Sequence, residues 1–489
     1  MAEATRLSAD ILSAIPGAVQ LPDYDRAAVK QGVVHLGTGA FHRAHQAEVF
    51  ERCLEAGDLR WGITGSSLRS PSVADQLNPQ AGLYTLSVAD RSGTRDRVIG
   101  AIDRVIVAQH DPGSLVQALA APDTHIVTLT ITEKGYMLDP ADGSLMRKNP
   151  EVAHDCKGPD DPRTGPGYLA KALERRKAQS APPLTIMSCD NIPHNGARLR
   201  AAVCAIAGSW DTALADWIER EVAFPQTMID RIVPATRSDD IAALAERTGY
   251  RDEGMVKTEP FLQWVVEDCF AGERPDLAAA GVQLTSSVDD WEKAKLRLLN
   301  GSHSTLAYLG ALAGIDHIHE VIARPAARDL VRRLWSEAAA TLDPPSDLNI
   351  DAYCDALLER FNNPALPHRT RQIAMDGSQK LPQRLLESIA TLYRDGTPPD
   401  ALLLGVAGWM QWVTGSREDS GAPILVDDPM APRFAAIAAA GSAPAERVGA
   451  LLALRDIFPA TLGENVQFRD ALIGLVTMLS NGGATRMLT

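Results

Sequence analysis

The 489-residue sequence has only six cysteines, Cys53, Cys156, Cys189, Cys204, Cys269 and Cys354, and no two of them form a C-x-x-C pair. That scatter excludes a secreted disulfide scaffold and argues against structural zinc, whose closed sites draw on closely paired ligands. A reducing cytoplasm is the expected compartment. Basic residues are also in short supply: 48 Lys and Arg stand against 62 Asp and Glu, a net charge of −14, so a basic nucleic-acid binder is excluded. Long apolar runs are missing. Residues 401–413, the longest near the C-terminus, contain Gln411 and fall short of the roughly 20 residues that cross a bilayer. Residues 1–13 carry Glu3, Arg6 and Asp10 where a secretory signal needs an apolar core. No low-complexity tract or fixed-period repeat points to disorder or a solenoid. What is there, 45% hydrophobic and 22% charged residues, suits a large globular protein of two domains.

The first part alternates strands and helices, the pattern of an α/β sheet with crossovers. β-type runs fall at 32–36, 61–68, 125–131 and 184–190, with helices over 40–57, 168–178 and 195–217 and a Pro/Gly-rich loop over 157–167. Residues 282–290 read as a connection. From Trp291 onward the period is helical, broken at Asp343-Pro-Pro345 and Thr397-Pro-Pro399. The expected division is 1–285 and 286–489.

Gly37-x-Gly39, after a strand and before a helix, is half of a dinucleotide fingerprint, whose glycines let the backbone approach a pyrophosphate. His42 stands where the third glycine belongs, so by spacing alone nucleotide binding and an ordinary strand-to-helix turn stand level. The second strand ends in Ser66-Ser67-Leu68-Arg69-Ser70, without the carboxylate that bonds the ribose of NAD; Arg69 suits the phosphate of NADP or is a solvated loop residue.

Residues 291–306 hold the densest chemistry. At about 100° per residue from Lys295, Glu292, His303 and Asn300 fall at roughly 60°, 80° and 140°, on one helix face. Leu296, Leu298 and Leu299 would desolvate the lysine and lower its pKa toward that of a general base; the alternative is a solvated amphipathic face. Asp190-Asn191-Ile-Pro-His194-Asn195-Gly196 ends a strand, where an asparagine amide can polarise a carbonyl, or simply form a turn and helix cap.

Together, residues 37–46, 130–136, 187–191, 228–234, 295–303 and 376–380 resemble the mannitol dehydrogenase family of polyol-specific long-chain dehydrogenases and reductases. The resemblance implies a metal-independent NAD enzyme with an N-terminal Rossmann-type dinucleotide-binding domain and a mainly α-helical C-terminal domain, with substrate in the cleft between them. It places the cofactor on Gly37, Thr38, Gly39, Ala40, Phe41, Arg69 and Glu133, with NADP kept open by Arg69. It makes Lys295 the general acid/base, with Asn191 and Asn300 holding the reacting oxygen and His303 positioning substrate. Glu292 falls on a proton path and Asp230 supports the site electrostatically. A monomer or weak dimer is implied.

Within the family, residues 132–136, 295–304, 368–383 and 405–410 look like the fructuronate reductases, which interconvert D-fructuronate and D-mannonate. A uronate carboxylate needs an extra cation, and Arg369, Arg371 and Lys380 are the candidates, with surface charge the alternative for Arg371. Residues 191–196 are nearer the mannitol form, which keeps mannitol/fructose, arabinitol or sorbitol as the second expectation. A catalytically silent sugar-binding protein is disfavoured because every recognised catalytic position is filled.

Overall fold

The computed structural model describes residues 4–441 and 443–489. The chain divides into two compact units, Met1–Val288 and Asp289–Thr489.

In the first unit, five parallel strands lie in the order Ile102–Val107, Ile63–Ser67, Val33–Leu36, Ile126–Leu129, Thr185–Ser188, which is 3-2-1-4-5 among themselves. This is the doubly wound, Rossmann-type order, with its switch point at the strand Val33–Leu36. The last three strands are buried throughout, as strands covered on both faces must be. Their alternation divides the core. Val33, Ile63, Ile126 and Met187 face one cluster with Phe50, Trp61 and Trp264, whereas Val34, Leu36, Val127, Leu129 and Ile186 face another with Tyr168, Leu173 and Leu199. A second, smaller sheet sets Gln263–Glu267 between Gln283–Thr285 and Thr227–Asp230.

Four boundaries depart from the sequence pattern. The helix expected over 40–57 is two, Ala40–Ala44 and Gln46–Glu55, broken at His45 (φ −127°, ψ −87°), whose Nε2 lies 2.9 Å from the Gln263 carbonyl. The helix expected from 168 starts at Gly165, because Thr164 Oγ1 accepts from Gly167 N–H and Pro166 suits a first turn. Residues 195–217 form Asn195–Trp210 and part of Thr212–Glu221, with Asp211 capping the second helix. The supposed connection 282–290 contains the strand Gln283–Thr285, too short to show a period of two.

The second unit is helical. Ala401–Thr414 is buried along its whole length and packs on Gly301–Leu312. A Cβ at Gly405 would stand 2.4 Å from Thr305 Oγ1, so the two helices approach as only glycine allows. Non-helical chain lies at both Pro-Pro positions. Among the described residues no helix is long and apolar enough to cross a membrane.

Candidate active site

The glycine turn closes the strand Val33–Leu36. Gly37 has φ +95°, and a Cβ there would lie 2.1 Å from the Thr130 carbonyl. Its N–H and that of Thr38 donate to Ser66 O at 2.9 and 3.0 Å, while Thr130 Oγ1 donates to Gly37 O at 2.8 Å. Two neighbouring strand ends therefore pin the turn. Gly39 differs: a Cβ there would meet nothing nearer than Gly37 O at 3.8 Å, and no side chain caps the helix that follows. Uncapped N–H groups on an open backbone fit a dinucleotide diphosphate. Ala40 and Phe41 form the first turn of that helix.

The missing third glycine has a local explanation. That glycine normally lets helix and strand pack closely. Here the His42 ring lies flat on His35 of the strand, centroids 3.3 Å apart and planes 12° apart. Burial lowers the pKa of both rings, that of His35 to about 3, so two uncharged imidazoles stack where a glycine would sit.

Arg69 lies exposed beyond the second strand, with Nη2 2.8 Å from Glu151 Oε2. Glu133 opens the short turn Glu133–Tyr136 and pairs with Arg198 at 3.6 Å. A residue not singled out from sequence, Asp190, holds that turn. It accepts from Ile131 N–H at 3.1 Å, Thr132 N–H at 2.9 Å and Tyr136 OH at 2.8 Å, fixing Thr132 at φ +63°. Burial raises its carboxyl pKa despite these donors.

Asn191 follows Asp190 and is exposed. Three residues on, His194 at φ +53° precedes the helix Asn195–Trp210, which no side chain caps; the buried Asn195 amide instead bridges Asp190 O and Thr227 O at 3.1 and 2.8 Å. Asp230 is buried at the end of Thr227–Asp230. The next residue, Arg231, is bound to Ala44 O and Glu48 and donates to Glu259 O. Although burial favours the neutral acid, Arg231 and Arg52 hold the Glu48 carboxyl below the ordinary carboxylate range.

In the second unit, Glu292, Lys295, Asn300 and His303 stand on one continuous rod whose pitch changes. Asp289–Ala294 and Gly301–Leu312 are α-helical, but Lys295–Asn300 is a π-helix, and Gly301 N–H donates to Leu296 O five residues back. The 100° wheel is therefore wrong across this stretch. A five-residue step sets Asn300 about one turn above Lys295 instead of roughly 140° round from it. Leu298 O, inside the altered ladder, accepts from Trp335 Nε1 at 3.0 Å and from Ser302 Oγ at 2.5 Å, which holds the segment in place. Gly301 is not a kink (φ −63°, ψ −51°); a Cβ there would come within 2.9 Å of Arg384 O, so it admits a neighbouring backbone. Lys295 is 7% exposed, and Leu298 and Leu299 further along the rod are buried too.

His303 stacks on Phe361 at 5.2 Å and lies 5.4 Å from His368. Its Nε2 is buried without a partner. Burial, then His368, Arg384, Arg360 and Lys380, push its pKa well below the imidazole value. The ring is neutral in cationic surroundings.

The three expected carboxylate-binding cations part company. Arg371 gives Nε and Nη2 to Glu418 at 2.9 and 2.7 Å and Nη1 to Asp316 at 3.0 Å. Two carboxylates consume its fork, so Arg371 is a strut of the fold and the expectation that it reads substrate is corrected. Arg369 is exposed, its backbone bridged to His317. Lys380 Nζ donates to Met375 O at 2.6 Å and lies 3.7 Å from Asp376; burial and Arg384 lower its pKa. Among the described residues no group of three or more His, Cys, Asp or Glu is arranged to hold a metal ion.

A doubly wound sheet with an uncapped glycine turn is the build of a dinucleotide-binding domain, and the helical unit that follows it carries a buried lysine. The sequence matches the mannitol dehydrogenase Rossmann domain over residues 31–279 and the mannitol dehydrogenase C-terminal domain over 287–477. It is 43% identical to the uncharacterised oxidoreductase YeiQ of Escherichia coli K12 over 460 residues, 94% of each chain. It is 42% identical to D-mannonate oxidoreductase of the same organism over 471 residues, 95% of this chain and 96% of that one. The structure of Pseudomonas fluorescens mannitol 2-dehydrogenase in ternary complex with NAD and D-mannitol matches with a TM-score of 0.81 at 35% identity, over 99% of both chains. The chain belongs to the mannitol dehydrogenase family of polyol and sugar-acid oxidoreductases.

Proposed function

We propose that the chain interconverts D-fructuronate and D-mannonate with NAD, using Lys295 and no metal ion. The observation that carries this reading is the pair of cations beside the neutral His303 ring: Arg384 donates to Ser304 on the lysine-bearing rod at 2.8 Å, and Lys380 lies one helical turn before Arg384. Such a setting suits a substrate with a carboxylate. The 42% identity to a D-mannonate oxidoreductase supports it.

NAD, when bound, takes or gives the hydride. The residues that would hold it are Gly37, Thr38, Gly39, Ala40 and Phe41 at the diphosphate, with Arg69 and Glu133 at its margin. In the oxidative direction the Lys295 Nζ accepts the hydroxyl proton as the carbon gives up its hydride, and Glu292 passes that proton toward solvent. In reduction Lys295 returns it. Asn300 donates to the reacting oxygen, where charge develops. His303 orients a hydroxyl.

A second reading, a mannitol 2-dehydrogenase or an enzyme of arabinitol or sorbitol, is favoured by the mannitol form of residues 191–196 and by the likeness to a mannitol 2-dehydrogenase. The two readings part in the oxidative direction. With chelator-treated protein, NAD should be reduced by D-mannonate faster than by D-mannitol. Faster oxidation of D-mannitol, or activity only after a divalent metal is restored, would refute the proposal.

A further inference from the structure

Arg384 was not among the cations expected from sequence, and its surroundings differ from those of the other arginines near the site. Its Nη1 donates to Ser304 Oγ at 2.8 Å, beside His303 on the same rod. Its Nε is buried with no acceptor. No carboxylate among the described residues pairs with it, whereas Arg371 meets two and Arg231 meets Glu48. The residue as a whole is half-buried, but its Nε is shut off from water, and an unsatisfied buried donor in a folded protein calls for a missing partner.

The backbone places it well. Arg384 lies in the π-helix Pro382–Leu386, four residues after Lys380, and its carbonyl packs at Gly301. Two cations one turn apart repel each other, and Asp376 at 3.7 Å from Lys380 is the only carboxylate paired with either among the described residues. With Nη1 taken by Ser304, the Nε–Nη2 edge is left without a protein acceptor. That edge receives a carboxylate in two parallel hydrogen bonds.

We infer that Arg384 is a specificity-determining residue that binds the substrate carboxylate through its Nε–Nη2 edge, with Ser304 fixing the guanidinium and Lys380 adding charge. This rests on the keto-uronate reading above and goes beyond it by naming the group that distinguishes a uronate from a neutral ketose.

The test compares kcat/KM for D-fructuronate and D-fructose, with NADH, in the wild type and in Arg384→Gln and Arg384→Lys. Arg384→Gln should lower the value for fructuronate about 100-fold more than that for fructose, since a site left with an unpaired polar group discriminates strongly. Arg384→Lys, which keeps the charge and loses the fork, should fall between, and it carries the test if Arg384→Gln does not fold. Damage to the fold would lower both substrates alike. A wild type that prefers fructuronate, with variants that lose both activities equally, would overturn the inference and leave the proposed function standing. A wild type that prefers fructose would overturn both.

Discussion

The glycine turn at 37–44 and the lysine rod at 292–303 are two ways of building a site. In the turn the backbone does the work: Gly37 is wedged against Thr130 O at φ +95°, and the helix that opens after Gly39 has no side-chain cap on its first N–H groups. On the rod the side chains do the work, and their directions depend on a pitch that changes at Lys295. Glycines at fixed spacing announce the first kind of site in any sequence. Helical period announces the second, and it misleads wherever the hydrogen-bond ladder changes register.

The contrast can be broken at several points. The largest effect should come from Lys295→Ala, which is expected to lower kcat about 10³-fold, within the range for a lost general acid/base. Circular dichroism and NADH binding should be unchanged; equal loss of both would make the lysine structural. Next are the two glycines, which should fail differently. Gly37→Ala forces a side chain into the left-handed region against a carbonyl and should cost about 3 kcal/mol in urea unfolding. Gly39→Ala should leave stability intact and weaken NADH binding about tenfold, because its Cβ meets the ligand and not the protein. Equal destabilisation by both would erase the distinction.

The smallest effect concerns the helix behind the turn. Glu51 Oε2 accepts from Tyr24 OH and Gly100 N–H at 2.9 Å, and burial raises its pKa from 4.5 to about 7. The folded protein therefore keeps a proton that the unfolded chain releases between pH 4.5 and about 7, so this group's contribution to stability falls as pH rises through that window. Glu51→Gln should remove the slope, narrowing the stability difference between pH 5 and pH 8 by about 2 kcal/mol. An unchanged difference would place the titration elsewhere.

Much of the first unit was legible because its strands are short apolar runs bounded by turns, and Gly37 and Gly39 fall just after one of them. The third glycine was not, since a ring stacked on His35 replaces it and stacking leaves no spacing signal. In the second unit the residue types at 292, 295, 300 and 303 were legible, but their common face was drawn with the wrong pitch. Arg371 was misread because its partner Glu418 lies 47 residues away, beyond any local pattern. Arg384 stands one residue past the stretch 368–383 and four after Lys380; that helical spacing was a usable signal.

Competition between equimolar D-fructuronate and D-fructose for limiting NADH tests the substrate and its carboxylate reader together. Conversion of D-fructuronate first, to D-mannonate, is the expected result. Conversion of D-fructose first, to a neutral polyol, would contradict it and leave the cations around His303 without a substrate to meet.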